Sequence, residues 1–205
     1  MKIVFLHGLG QTAKDWNSVT EQVSCSDTDC PELFSLDEQD VTYSNVFAQL
    51  ERRYADTTEP FVLCGLSLGA ILALNYAIRH GNQVSSLILI GAQYKIPTLL
   101  IDFQNLIFRC MPCKAFATMG ISKSDTIKLS HSLRSLNFKY GLNKVECPVT
   151  IVCGEKDYAN KKAAKQLNAL LPQSQLQIIP GAGHEVNKCA PKAIAAILNK
   201  VNQNT

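Results

Sequence analysis

Apolar residues along the chain fall into short continuous runs that alternate with longer stretches of helical spacing. The short runs are typical of parallel strands that are buried on both faces. The predicted strands cover residues 2–6, 33–36, 61–64, 87–90, 149–153 and 176–179. In the stretches between them, apolar residues recur every three or four positions, as on one face of a helix. The predicted helices cover approximately residues 13–23, 43–54, 70–78, 160–171 and 191–201.

This alternation predicts an α/β fold with an open, mostly parallel sheet of about six strands flanked by helices. The alternation lapses between residues 93 and 143, where an apolar stripe of helical spacing is followed by shorter mixed segments. Ligands of open parallel sheets bind beyond the carboxyl ends of the strands. We therefore searched the segments that directly follow each predicted strand for reactive side chains.

The segment after the strand at 61–64 reads Gly65-Leu-Ser-Leu-Gly69 and leads directly into a helical pattern. A tight turn between a strand and a helix holds its central residue at an unusual backbone angle. Gly65 and Gly69 lack the Cβ atoms that would collide in such a turn, which leaves the hydroxyl of Ser67 exposed. The turn therefore predicts that Ser67 is a nucleophile.

A serine hydroxyl needs a base, and the base needs a carboxylate that orients it. We predict His184 as the base, because it follows the last strand in a glycine-rich loop. Asp157, four residues after the strand at 149–153, is the predicted carboxylate, with Glu155 and Asp125 as alternatives. The order serine, aspartate, histidine along the chain is the one described for α/β-hydrolases.

Acyl transfer also needs N–H donors for the oxyanion that forms in the transition state. The backbone N–H of Leu68 directly follows the nucleophile, and the N–H of Leu9 lies in a glycine-flanked loop after the first strand. We predict these two groups as the oxyanion hole. A hydrogen bond from His7 would orient the loop, and a buried structural role for His7 is an equal alternative.

With these residues in this order, the sequence resembles the α/β-hydrolase superfamily. The resemblance rests on four segments and spans nearly the whole chain. The segments are His7-Gly-Leu-Gly10, Gly65-Leu-Ser-Leu-Gly69, Gly154-Glu-Lys-Asp157 and Gly181-Ala-Gly-His184. It implies a serine hydrolase with a reduced, six-stranded form of the family fold, in which the family's first two strands are missing. It also implies a core of residues 1–92 and 144–205, with 93–143 as a short helical lid.

The stripe in the predicted lid favours an apolar acyl group in the substrate. We predict Leu99, Phe103 and Leu106 as substrate-binding residues, together with Trp16. Two simpler alternatives stand beside this interpretation: the stripe is a helix face that packs on the core, and Trp16 anchors its own helix. The predicted reaction is cleavage of an ester or thioester through an acyl-enzyme on Ser67, and it requires no metal or organic cofactor.

The composition and charge of the chain bear on its domain number, its partners and its location. The chain has 205 residues, of which 46% are hydrophobic and 18% charged, and a formal charge of +3. This is typical of one globular domain, and the weak, dispersed charge does not indicate nucleic acid. The first residues lack the length and cleavage site of a signal peptide, and no stretch is long and apolar enough for a membrane span. We therefore expect a cytoplasmic protein in which most of the cysteines are reduced. Cys110 and Cys113 form a C-x-x-C pair without the second ligand pair that a zinc site needs.

Two other functions compete with hydrolysis. The loop Gly8-x-Gly10-x-x-Ala13 after a strand matches a dinucleotide-binding pattern, with Asp37 as a ribose-binding acid, which would indicate an oxidoreductase. That hypothesis leaves Ser67, Asp157 and His184 without a role. A small-molecule-binding protein on the same fold, without catalysis, is the second alternative.

Overall fold

The computed structural model describes residues 1–35, 40–116 and 119–203. Six strands alternate with helices along the chain, as the sequence predicts. The strands are β1 (Ile3–Leu6), β2 (Thr28–Asp29), β3 (Phe61–Leu66), β4 (Val84–Ile90), β5 (Val149–Gly154) and β6 (Ser174–Ile179). The helices are α1 (Asn17–Thr20), α2 (Tyr43–Arg53), α3 (Leu68–Arg79), α4 (Thr98–Cys110), α5 (Lys123–Ser132), α6 (Tyr158–Leu170), α7 (Val186–Cys189) and α8 (Pro191–Gln203).

The six strands form one sheet in the order β2-β1-β3-β4-β5-β6, and each neighbouring pair is parallel. The predicted fold class is therefore confirmed. Because all strands run the same way, the loops after β1, β3, β5 and β6 meet along one edge of the sheet. This edge brings together the four segments that carry the candidate chemistry.

The strand predicted at 33–36 is wrong. The edge strand is β2, only two residues long and earlier in the chain, whereas Leu33 and Phe34 form a turn. The N–H of Leu33 donates a hydrogen bond to the ring of His7 instead of to a neighbouring strand. The two side chains are nevertheless buried in the core, which explains their apolar character. Leu36 and Asp37 lie outside the described residues.

Successive strand residues point to opposite faces of the sheet and build two hydrophobic clusters. On one face, Ile3 and Phe5 pack with Trp16 and with the inner side of α8. The other face is covered by α2, α3, α6 and residues of the 93–143 segment. The helix predicted at 13–23 is shorter and less regular than expected, because residues 13–16 form a 3₁₀ turn before α1. Thr42 caps α2 and accepts a hydrogen bond from the N–H of Asn45.

The segment 93–143 connects β4 to β5 and contains α4 and α5, which pack against each other. A single antiparallel bridge between Lys95 and Asn137 joins its two ends. Cys110 and Cys113 are exposed free thiols at the end of α4. In the described ranges, no helix is both long enough and apolar enough to cross a bilayer.

Candidate active site

The turn between β3 and α3 holds Ser67 in a strained backbone conformation, with φ at 53° and ψ at −112°. Its own N–H donates a 2.9 Å hydrogen bond to the carbonyl of Ile90 on β4, which fixes the turn to the sheet. A Cβ atom at Gly65 would overlap the backbone of Gly69, and one at Gly69 would overlap the carbonyl of Leu6. The two glycines are therefore needed for close backbone approach, as the sequence indicates.

Asp157 and His184 form a hydrogen-bonded pair at the ends of β5 and β6. The Nδ1 atom of His184 lies 2.7 Å from Oδ2 of Asp157, whose side chain is nearly buried. Burial opposes ionisation of Asp157, but hydrogen bonds from His184 and Asn160 outweigh it and hold the pKa of Asp157 below its usual value. The carboxylate is therefore charged and accepts a hydrogen bond from the Nδ1–H group of His184, which favours the tautomer whose Nε2 is free to act as an acceptor.

Asn160 is a third member of this arrangement that the sequence analysis missed. Its side-chain NH₂ lies 2.9 and 3.0 Å from the two carboxylate oxygens of Asp157, and its oxygen accepts a 2.9 Å hydrogen bond from Gln93. The same nitrogen is 3.2 Å from Nδ1 of His184, but both atoms are then donors, so that contact is not a hydrogen bond. A signal was available: Asp157 caps α6, and the third residue after a cap often shares in the capping.

The alternative residues are occupied elsewhere. Glu155 accepts a hydrogen bond from the N–H of Gly181. Asp125 lies in the first turn of α5, where its carboxylate accepts a hydrogen bond from the hydroxyl of the capping residue Ser122. His80 pairs with Glu51 at the end of α3, 2.7 Å away. Among the residues that the structure describes, Asp157 is the carboxylate that contacts His184.

Ser67 and His184 line the same cavity of about 280 Å³ beyond the carboxyl ends of the strands. Leu9 and Leu68 lie in its wall, and their backbone N–H groups donate no hydrogen bond to any described residue. The Oγ atom of Ser67 also has no hydrogen-bond partner in the described part of the chain. The rest of the wall is mainly apolar and comes from α3, the 93–143 segment and the start of α6. Its apolar residues include Ile71, Ile96, Pro97, Ile101, Leu133 and Ala159.

Gly91, directly after β4, supports the imidazole of His184 and was also missed. Its φ is +59°, and a Cβ atom there would lie 2.9 Å from Cε1 and 3.0 Å from Nδ1 of His184. The ring of His184 thus packs against the backbone of Gly91. Any amino acid with a side chain at position 91 would place its Cβ atom in the space that the ring occupies. A single glycine after a strand gives too weak a signal for its partner to be predicted from sequence.

A buried polar network joins the loop after β1 to the loop that carries His184. The side-chain nitrogen of Gln11 donates 2.8 Å to Glu185, and the side chains of Gln11 and Asn187 contact each other. Asn187 also donates to the backbone carbonyl of Asp15, and Lys188 bridges Asp15 and Glu185 at 3.0 Å each. Gln11 and Asn187 are both buried, so this network fixes the Leu9 loop relative to His184.

The hydrogen bond predicted for His7 is present. The Nδ1 atom lies 3.0 Å from the carbonyl of Gly8, and Nε2 accepts the N–H of Leu33 at 3.1 Å. His7 is fully buried, and this burial lowers its pKa despite the nearby Gly8 carbonyl and Glu32. Protonation of Nε2 would also break the hydrogen bond from Leu33. His7 therefore supports the loop as a neutral imidazole.

We expect His7 to make the free energy of unfolding depend on pH. Because its pKa is lower in the folded state, the unfolded chain binds a proton first as the pH falls below about 6.5. The stabilisation is therefore complete above that pH and declines below it. Urea unfolding between pH 7.5 and 5.5 should show a smaller decline in His7→Asn than in the wild type. His131→Asn, which removes an exposed histidine, serves as the control; an unchanged pH dependence in His7→Asn would contradict the role.

The predicted substrate-binding residues do not reach this pocket. Trp16 is fully buried against Phe5 on the opposite face of the sheet, where it anchors the segment before α1. Leu99, Phe103 and Leu106 point outward from α4 and are 82%, 62% and 58% exposed. The opposite side of α4 faces the pocket and contributes the residues Ile101 and Gln104. Trp16, Phe103 and Leu106 therefore do not line this pocket, and those three predictions are wrong for it. Leu99 lines a second cavity beside it, so its assignment stays a prediction.

A parallel α/β sheet, a strained serine between strand and helix, and an Asp–His pair at the same sheet edge are together the features of an α/β hydrolase. A model of the alpha/beta hydrolase family matches residues 3–197. The chain belongs to this family. Membership in this family argues against the dinucleotide-binding alternative. The family match includes the loop Gly8-x-Gly10-x-x-Ala13 after β1, so its glycines do not require a dinucleotide to explain them.

Individual relatives are similar to the chain over most of its length. RutD of Escherichia coli O26:H11, named as a carbamate hydrolase, is 23% identical and aligns with 96% of this chain and 89% of its own. The structure of MenH from S. aureus superposes with a TM-score of 0.82 at 17% identity, covering 100% of this chain and 94% of that one. A thermophilic esterase from Thermogutta terrifontis gives a TM-score of 0.83 at 16% identity, covering 100% and 90%. At these low sequence identities, the structural similarities show a shared fold only.

Proposed function

We propose that the protein is a serine hydrolase that cleaves an ester or thioester with a small apolar acyl group. The observation that carries this proposal is the 2.7 Å hydrogen bond between Asp157 and His184 at the mouth of the cavity that Ser67 lines. An aspartate in this position holds the imidazole in the tautomer that can accept the serine proton. The apolar cavity wall favours an acyl group without charge next to the carbonyl.

In the proposed first step, Nε2 of His184 accepts the proton of Ser67 as its Oγ attacks the carbonyl carbon. The resulting oxyanion is held by the unpaired N–H groups of Leu9 and Leu68, aided by the N-terminus of α3. His184 then donates the proton to the leaving group, which departs and leaves an acyl-enzyme on Ser67. In the second step His184 activates water, which attacks the acyl-enzyme and releases the acid.

The names of the relatives support acyl transfer as the reaction class. They include an esterase and the thioesterase domain from the curacin biosynthetic pathway, and RutD is named for carbamates. An ester, a thioester and a carbamate each contain a carbonyl group that a serine can attack, and one oxyanion hole serves all of them. We place esters and thioesters first because their leaving groups depart more readily.

A binding protein without turnover is the second candidate. The observation that favours it is that Ser67 Oγ makes no hydrogen bond to His184 among the described residues. Hydrogen bonds between catalytic groups are often long without substrate, so the observation does not argue against catalysis. A chemical test of serine reactivity separates the two candidates.

The test is reaction of the purified protein with a fluorophosphonate probe, followed by mass spectrometry of the labelled peptide. We expect labelling at Ser67 that is lost in Ser67→Ala and kept in Ser135→Ala, which removes an exposed serine of the 93–143 segment. Turnover of a chain-length series of 4-nitrophenyl esters would follow. A folded wild-type protein that neither reacts with the probe nor hydrolyses the esters would favour the binding candidate.

A further inference from the structure

A second cavity of about 540 Å³ lies directly beside the catalytic pocket. The two share four wall residues: Gln93, Ile96, Pro97 and Ala159. Because they have these residues in common, the two cavities adjoin, and we treat them as two compartments of one depression. We call the second compartment the outer groove; its remaining lining residues are Tyr94, Lys95, Thr98, Leu99, Lys162, Ala163 and Gln166.

The charged residues that line the outer groove are all positive. Lys95 enters it from the 93–143 segment and Lys162 from α6, and neither Asp nor Glu lines it. Both lysines are exposed, and neither forms an ion pair with any residue that the structure describes. The 93–143 segment as a whole carries seven Lys or Arg and only two Asp residues. Two unneutralised ammonium groups in the lining of one groove create a positive potential that attracts anions.

The groove is close enough to the reactive groups to hold another part of the same molecule. Ala159 lies in both compartments, two residues after Asp157. Lys162 follows Ala159 by three positions on α6, so it lies on the same side of the helix and ~4.5 Å farther along its axis. The catalytic pocket alone, at about 280 Å³, is at the lower limit of ligand sites. A substrate of ordinary size would therefore extend into the groove.

We propose that the outer groove binds a carboxylate that the substrate carries at the end away from the scissile carbonyl. The apolar part of the substrate then lies along Ile96 and Pro97, between the two compartments. Lys95 and Lys162 are the specificity-determining residues, and Gln93, held by Asn160, forms the boundary. The inference rests on the proposed function for the reaction, but it makes a separate claim about which substrates bind.

The size of the effect follows from the exposure of both lysines. Exposed ion pairs are weak and screened by salt, so each lysine alone changes affinity by a small factor. Reversing both charges turns attraction into repulsion, and we expect about a tenfold rise in KM for an anionic substrate. The kcat should remain nearly unchanged, because neither lysine contacts the reacting atoms.

The test compares 4-nitrophenyl hydrogen adipate with its neutral analogue, 4-nitrophenyl methyl adipate. The wild type should prefer the hydrogen adipate, and the preference should fall in 0.5 M salt. The double variant Lys95→Glu/Lys162→Glu should lose the preference, while it releases 4-nitrophenolate from the neutral analogue at the normal rate. The matched control is Lys139→Glu/Lys165→Glu, which makes the same change in net charge, also at one position before β5 and one on α6. An equal preference in both double variants, or no preference in the wild type, would overturn the proposal.

A binding measurement keeps this result separate from the reaction. In Ser67→Ala, calorimetric titration with monoethyl adipate and diethyl adipate reports binding without turnover. Tighter binding of the monoethyl ester, lost in the Lys95→Glu/Lys162→Glu background, would support the groove even if no ester is hydrolysed. Hydrolysis of the neutral ester without any charge preference would instead support the proposed function and refute the groove.

Discussion

Replacing Ser67 with alanine is expected to lower kcat for a 4-nitrophenyl ester by on the order of 10⁴- to 10⁶-fold. In the proposed mechanism the variant loses the atom that forms the acyl-enzyme, while the proposed N–H donors of Leu9 and Leu68 remain. KM should change little, because the Oγ atom contributes little to ground-state binding. Steady-state kinetics with active-site titration measures this, and circular dichroism confirms that the variant is folded.

The two partners of Ser67 should behave as one unit with it. We expect His184→Ala to lose nearly as much activity as Ser67→Ala. The double variant Ser67→Ala/His184→Ala should lose little more than either single variant. Asp157→Asn should lose less, because the ring of His184 stays near its position but no longer holds its tautomer. Glu155→Gln is the matched control, since Glu155 lies in the same loop and contacts the N–H of Gly181 instead. Full activity in Asp157→Asn would show that the acid is assigned wrongly.

Replacing Gly91 with alanine is expected to lower kcat by about 10²- to 10³-fold while the protein remains folded. The new methyl group would lie within 3.0 Å of two ring atoms of His184 and 3.4 Å from the carboxylate of Asp157. The imidazole must move away, and a misplacement of about 1 Å costs on the order of 10²-fold in rate. The φ of +59° adds about 1–2 kcal/mol of backbone strain. Ester kinetics and urea unfolding measure the two effects separately.

Gly183→Ala is the matched control for Gly91→Ala. Gly183 precedes His184 in the chain, yet a Cβ atom there would meet nothing within 4 Å. We expect this variant to keep most of its activity. A Gly91→Ala protein with normal kcat would mean that the ring of His184 can occupy another position without loss, and the arrangement at the sheet edge would then not be the reactive one.

The remaining interactions explain why the candidate site is rigid. Asn160 donates to the carboxylate of Asp157 and is itself held by Gln93. Gln11 and Asn187 join the loop of Leu9 to that of His184. Each set includes one contact between distant parts of the chain, Gln93 with Asn160 in the first and Gln11 with Asn187 in the second. Polar groups that are buried and fully paired specify one arrangement, because any other leaves an unpaired donor or acceptor.

The amino-acid sequence by itself determined the features that depend on neighbouring residues. Continuous apolar runs locate most strands, because parallel strands are buried on both faces. Two glycines around Ser67 indicate the strained turn, because the collisions they avoid are local. Since parallel strands end at one edge, Ser67, Asp157 and His184 could be placed at that edge from strand positions alone.

Only the tertiary structure decided which side of each element is covered. In α4 the apolar stripe suggests an inward face, yet Leu99 and Phe103 point outward, and Ile101 and the buried Asn105 point inward. Helical spacing shows that residues share a face, but the neighbouring elements determine whether that face is buried. The packing of neighbouring elements likewise determines that Trp16 lies on the other face of the sheet and that Gly91 contacts His184. Such contacts join residues distant in sequence, and no local pattern encodes them.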